Sequence, residues 1–221
     1  MPGRLTAMST RPNAGSVFGA DGHRWLLEPT LTEDELAELE SQLGVELPRE
    51  YRTFLLQVSR GGAGPAYGLF PLRRVEGRWR WEGDGAELTD LQTLGRPFPH
   101  TETFDPADGL PEPPDEEGFD SEEKFTEAED AYWQRHDAVV SAPELTVGLL
   151  YLCHLGCAYR EALVISGAAR GQMWADDIAG DGGFRPLREA DGSTTGFARW
   201  YRRWLQQAEE QIQSGPDQNT P

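Results

Sequence analysis

The chain has 221 residues, of which 38% are hydrophobic and 10% aromatic, enough for a domain that buries roughly 70% of its unfolded surface without a disulfide or metal. It carries 20 Lys+Arg against 38 Asp+Glu, a net charge of −18. Such a field repels nucleic acid and anionic membranes and attracts basic proteins. No apolar run reaches the length of about 18 residues that a membrane-spanning helix needs. The opening segment lacks the apolar stretch of a signal peptide, and the only cysteines are Cys153 and Cys157. A secreted disulfide framework is therefore not expected, and the expected compartment is the cytoplasm.

Residues 1–24 are polar, Gly-rich and aperiodic, and predict a disordered tail. A single domain is expected over 25–213, starting near Trp25. Thr32 is a good N-cap with Glu35 three residues on, the capping-box pattern. Leu36, Leu39 and Leu43 make the stripe of an amphipathic helix, which Gly44 stops. Pro48 opens a second helix with Tyr51, Phe54, Leu55 and Val58 on one face. Residues 67–72 and 75–81 read as short strands, with Pro71 at an edge or bend.

The charge is not spread evenly. Residues 1–100 carry 11 basic and 14 acidic groups, and residues 141–221 carry 7 and 10. Residues 101–140 carry 2 and 14, so −12 of the −18 lies in this stretch. Within it, 102–123 is rich in proline and acid and predicts an excursion from the compact fold. Ser121 caps a helix expected to run from Glu122 to about His136, with Phe125, Ala128 and Tyr132 along one side and Trp133 beside them.

Farther on, 149–153 and 159–166 predict paired strands joined through Gly156. Ala162 to Ile165 form a buried run, and Gln172 to Ala175 a third strand. Strands joined by short turns imply an antiparallel sheet. A final helix is expected from Phe197 to about Ile212, with an apolar face of Phe197, Trp200, Tyr201, Trp204, Leu205 and Ala208. Residues 214–221 predict a second disordered tail. The sum is an α+β class: a curved antiparallel sheet flanked by helices, two of them N-terminal and one C-terminal and aromatic.

Chemistry finds little support. Cys153, His154 and Cys157 lack a second pair of metal ligands and read as core thiols rather than zinc ligands. Cys153 and His154 are adjacent on a strand and point to opposite faces, which argues against a nucleophile–base dyad. Gly62, Gly64 and Gly68 miss the spacing of a dinucleotide loop and follow a helix rather than a strand. Asp176, Asp177 and Asp181 miss the spacing of a calcium loop. Trp200 and Trp204 read as core. No catalytic residue, cofactor or metal is assigned, and no enzyme is expected. The acidic stretch has two readings: a solvated flexible loop, or an electrostatic docking element for a basic protein. In the second, Asp115, Glu116, Glu117, Asp120, Glu122 and Glu123 are the partner-binding candidates, and Phe119, Phe125, Tyr132 and Trp133 supply apolar anchors.

Several residues together resemble a known family. Leu43-Gly44, Leu47-Pro48, Tyr51, Phe54-Leu55 and Gly61-Gly62 are similar to the opening of the SUKH superfamily, the cell-wall-regulator-like and bacterial toxin-immunity family. Gly156-Cys157, Leu163-Val164-Ile165, Gly171, Trp174 and the helix from Phe197 to Leu205 resemble its later part. Arg60 departs from the family's usual asparagine before the glycine pair. The resemblance covers 30–72 and 145–206 and leaves 73–144 as an insertion or divergent stretch. It implies a helix-flanked antiparallel sheet. It also implies a non-catalytic function: an immunity protein that binds and neutralises a toxin, possibly a basic nuclease, or else a scaffold or regulator with an endogenous partner.

Overall fold

A computed structural model describes residues 2–180 and 182–214. The tail expected at its C-terminal end beyond Ser214, and Asp181, lie outside the described residues. Helices α1 (Pro2–Ser9) and α2 (Ala20–His23) come first. Then come α3 (Glu33–Leu43) and α4 (Arg49–Gln57). A hairpin of β1 (Leu72–Val75) and β2 (Arg78–Trp81) follows. After a long connection come α5 (Glu122–Val140), β3 (Leu149–Gly156), β4 (Tyr159–Val164), β5 (Met173–Asp176), β6 (Phe184–Pro186) and α6 (Phe197–Ser214). This is the α+β architecture the sequence implies.

Local chemistry explains the first helical pair. The Thr32 hydroxyl accepts from the Glu35 amide at 3.1 Å, and the Glu35 carboxylate accepts from the Thr32 amide at 2.8 Å. Each side chain thus satisfies an amide that the first helical turn would otherwise strand. Leu36, Leu39 and Leu43 are buried, as are Tyr51, Phe54 and Leu55 on α4. Gly44 closes α3 at a positive φ of 67°, a conformation that glycine adopts without strain.

Strands β3–β4–β5–β6 form one antiparallel sheet in chain order. Leu149 through Cys153 and all of β5 are buried, so the sheet is covered on both faces there. Two register shifts interrupt β3 against β4, and irregularities of this kind bend a strand. Helix α6 packs its aromatic face on α4: Phe197 and Tyr201 lie 5.1 and 4.8 Å from the Phe54 ring. The Tyr201 hydroxyl donates to the Ala63 carbonyl at 2.7 Å, which ties α6 to the glycine-rich turn after α4. Trp200 and Trp204 are buried, as expected of core residues.

The N-terminal segment departs from expectation. Residues 2–23 are not an unstructured tail: Leu5, Met8 and Val17 join the common core, and His23 is buried beside it. Arg4 pairs with Glu209 of α6, the Asn13 amide donates to the Ile212 carbonyl at 3.3 Å, and the Gln211 amide donates to the Ser16 carbonyl at 2.8 Å. The His23 ring meets Trp25 and Trp204 edge-on at 5.2 and 5.8 Å. Burial lowers its pKa to about 4, so the imidazole is neutral near pH 7. The segment is thus a clasp on α6, held by apolar residues too few and too widely spaced to show a period.

Candidate interaction site

From residue 99 to residue 146 no side chain is buried. The stretch leaves the body where Phe104 pairs with Phe184 through two backbone bonds of 2.9 and 2.8 Å. It returns through Val140 and a short turn at Pro143–Thr146 that leads into β3. The excursion is longer than the expected 102–123, and it is not without structure. It holds a one-turn 3-10 helix at Glu116–Gly118 and the 19-residue α5. We call it the arm.

The six candidate carboxylates all lie on the arm and are all exposed. Asp115 caps the short turn, its Oδ1 accepting from the Glu117 amide at 3.2 Å. Asp120 meets Lys124, the single lysine of the chain, at 3.2 Å. Ser121 caps α5, its hydroxyl accepting from the Lys124 amide at 3.4 Å. Glu122 and Glu123 therefore fall in the first turn, beside the positive end of the helix dipole. Among the described residues Asp115, Glu116, Glu117, Glu122 and Glu123 have no ion-pair partner within 4 Å.

The apolar side of α5 is only half covered. Phe125 and Tyr132 are partly exposed, and Trp133 is 47% exposed. Phe119 packs against Phe125 at 5.8 Å, and Tyr132, Trp133 and His136 form a small cluster with Tyr132 and Trp133 centred 5.0 Å apart. Of the four aromatic anchors the sequence suggests, all are on the arm, as two local pairs rather than one surface.

The other candidates resolve differently. Cys153 is buried and Cys157 is exposed on the β3–β4 turn. No group of three or more His, Cys, Asp or Glu among the described residues is placed to hold a metal. The Cys153 thiol donates to Glu161 at 3.7 Å, and burial pushes its pKa well up, which is the reverse of an activated nucleophile. His154 faces away, stacked on Tyr67 at 5.5 Å and 3.5 Å from Asp84. Gly62 and Gly68 have φ of 102° and 100°, and the space for a side chain at Gly62 is filled by the Leu26 backbone. These are turn positions, not a phosphate cradle.

Two buried acids escaped the sequence reading. Glu161 accepts from the Trp200 indole at 2.8 Å and from Cys153. Asp176, one of the three aspartates that miss a calcium-loop spacing, is 7% exposed at the end of β5 and accepts from the Tyr151 hydroxyl at 2.7 Å. Burial raises the pKa of both. The aromatic and aliphatic residues around Asp176 could have hinted at its burial, but only the successive pairing of β3 with β4 and of β4 with β5 brings Tyr151 to it.

No helix among the described residues is long and apolar enough to cross a membrane. No curated protein and no solved structure matches the chain. A family model does match, over residues 30–157. That span takes in α3, α4, the hairpin, the whole arm and β3. It therefore extends through 73–144, which the resemblance had left uncovered, and ends at Cys157, before the later motifs at Leu163 to Trp174. With more than half of its length matched and the expected α+β fold in place, the chain belongs to the SMI1 / KNR4 family (SUKH-1).

Proposed function

We propose that the chain is a non-catalytic binding module of the immunity type, whose arm docks on a basic protein, a toxin domain, and blocks it. The observation that carries this reading is the arm itself. In its six candidate acids, Asp115 to Glu123, it combines exposed carboxylates that no arginine neutralises with partly uncovered aromatic rings. Carboxylates of this kind raise the rate of encounter with a positive surface, and the rings supply the apolar contact that holds it. Family membership agrees, since the family includes immunity proteins. Its regulators supply the second reading, an endogenous cytoplasmic partner met through the same arm.

The test compares the full chain with a variant in which the six acids become amides (D115N/E116Q/E117Q/D120N/E122Q/E123Q). Each is immobilised and exposed to extract of the native cell at low and high salt. The reading expects one stoichiometric protein on the parent chain, released by salt and retained at least about tenfold less by the variant. Equal retention by both, or a salt-insensitive complex, overturns it. The captured protein is then expressed alone. Toxicity relieved by coexpression supports immunity, and a harmless partner supports regulation.

A further inference from the structure

A cleft of about 440 Å3 opens where the arm rejoins the body. Its walls are largely apolar, with Leu88, Val140, Leu145, Ile178 and Phe184 among them. Tyr151 and Asp176 line it from the sheet, and Glu87 and Asp90 are the other two carboxylates on its surface. Arg160 is the one cation in the lining, and its guanidinium is engaged with the Ala158 carbonyl at 2.8 Å and Asp84 at 3.5 Å. The cleft is thus a greasy slot with an excess of negative charge.

Asp176 is the informative group. Its Oδ2 accepts from Tyr151 at 2.7 Å and its Oδ1 from the Ile178 amide at 3.3 Å. Both donors are neutral, and its cross-strand neighbour Arg160 acts on it only through space, with no cation within 4 Å among the described residues. Each carboxylate oxygen can accept a second hydrogen bond. A largely buried carboxylate in this state gains most from an incoming positive charge, because water no longer screens the attraction. An arginine fits both halves of the slot. Its methylene stem packs along apolar walls while its head reaches the acids, and its planar fork matches carboxylate geometry in a way an ammonium does not. The volume falls within the roughly 300–1,000 Å3 typical of ligand pockets, which leaves room for the backbone that carries the side chain.

We propose that this cleft receives an arginine side chain of the protein partner, inserted between Leu88 and Ile178 with its guanidinium directed at Asp176. The proposal rests on the reading of the arm as an interface for a basic protein, and it adds the residue type that the partner must present beside it. Val140, the last residue of α5, is part of the cleft wall, so a protein seated on the arm is already adjacent to the slot.

The test uses the full chain, labelled with 15N, and two end-blocked tripeptides: Gly-Arg-Gly and its neutral isostere Gly-citrulline-Gly. The arginine peptide should shift the amides of Tyr151, Asp176 and Ile178 in a saturable way, weakly, with a dissociation constant on the order of millimolar. The citrulline peptide should bind at least about fivefold more weakly. Asp176→Asn should erase the difference between the two. Because that change falls at a buried site, Glu87→Gln with Asp90→Asn serves as the second variant. Both of those side chains are exposed, and their loss should weaken the arginine peptide about twofold or more. Equal binding of the two peptides, or shifts confined to the arm, or no shifts up to the solubility limit, overturns the proposal. The six-amide arm variant separates the two ideas. If it still binds the arginine peptide but captures no protein less than its parent, the arm reading fails and the cleft stands. If capture depends on the arm but no peptide enters, the cleft alone fails.

Discussion

In the body of the molecule carboxylates meet arginines, while in the arm, beyond Glu102 at its root, which pairs with Arg188, none does among the described residues. Glu28 and Glu82 share Arg73, Glu40 and Glu46 share Arg52, Glu38 takes Arg74, Asp177 takes Arg185 and Glu189 takes Arg203. The arm has only Lys124 and Arg135 against its 14 acids in residues 101–140. Both regions are rich in acid, so composition alone does not separate them. The supply of arginine does. Exposed pairs contribute little stability each, but pairing across elements, as between Glu28 and the β1 hairpin, locks the body's charges in place and leaves the arm's field to act outward.

The comparison is open to direct attack. The largest effect should come from the sheet: Leu163→Ala, at a fully buried position, should cost about 2–5 kcal/mol by denaturant unfolding. Leu5→Ala tests on which side of the divide the N-terminal clasp belongs. If the clasp is part of the body, the loss should be about 2 kcal/mol; a change near zero would place residues 2–23 with the arm. His23 gives the clasp a pH signature. Its pKa in the fold, about 4, lies below the ordinary 6.5, so the unfolded chain takes up the proton first. Its contribution is complete above pH 6.5 and is lost as pH falls toward 4. Thermal melts across that window should decline more steeply for the parent than for His23→Gln. The smallest effect should be that of the six-amide arm variant, within about 0.5 kcal/mol of its parent. A large loss there would mean the arm is structural.

Much of the fold was legible because its signals are local. Thr32 and Glu35 announce α3, the Pro48 to Val58 pattern announces α4, and the Ala162–Ile165 run marks the strand at the centre of the sheet. What was missed depends on partners distant in the chain. Helix α1 shows only Leu5 and Met8, and its burial exists because α6 offers a surface. Strand β6 is three residues long and is defined by its pairing with β5 and by Phe104. The segment expected as a strand at 67–72 forms only isolated bridges, Leu69 with Gly62 and with Cys153, before β1 begins at Leu72. The arm was legible as charge, and its helix as a cap followed by an aromatic stripe. The cleft was not, because Tyr151, Asp176 and Val140 come together only through strand pairing and the return of the arm.

The two cysteines have a practical consequence. Cys153 is shut inside the sheet while Cys157 stands in the open on a tight turn of the rigid body. A maleimide dye should therefore attach at one place without any engineered cysteine-free background. Lys124, alone among the side-chain amines and set on the arm, offers a second chemistry for a second dye. Energy transfer between the two would read the distance from arm to body in solution, and would register its change when a partner arrives.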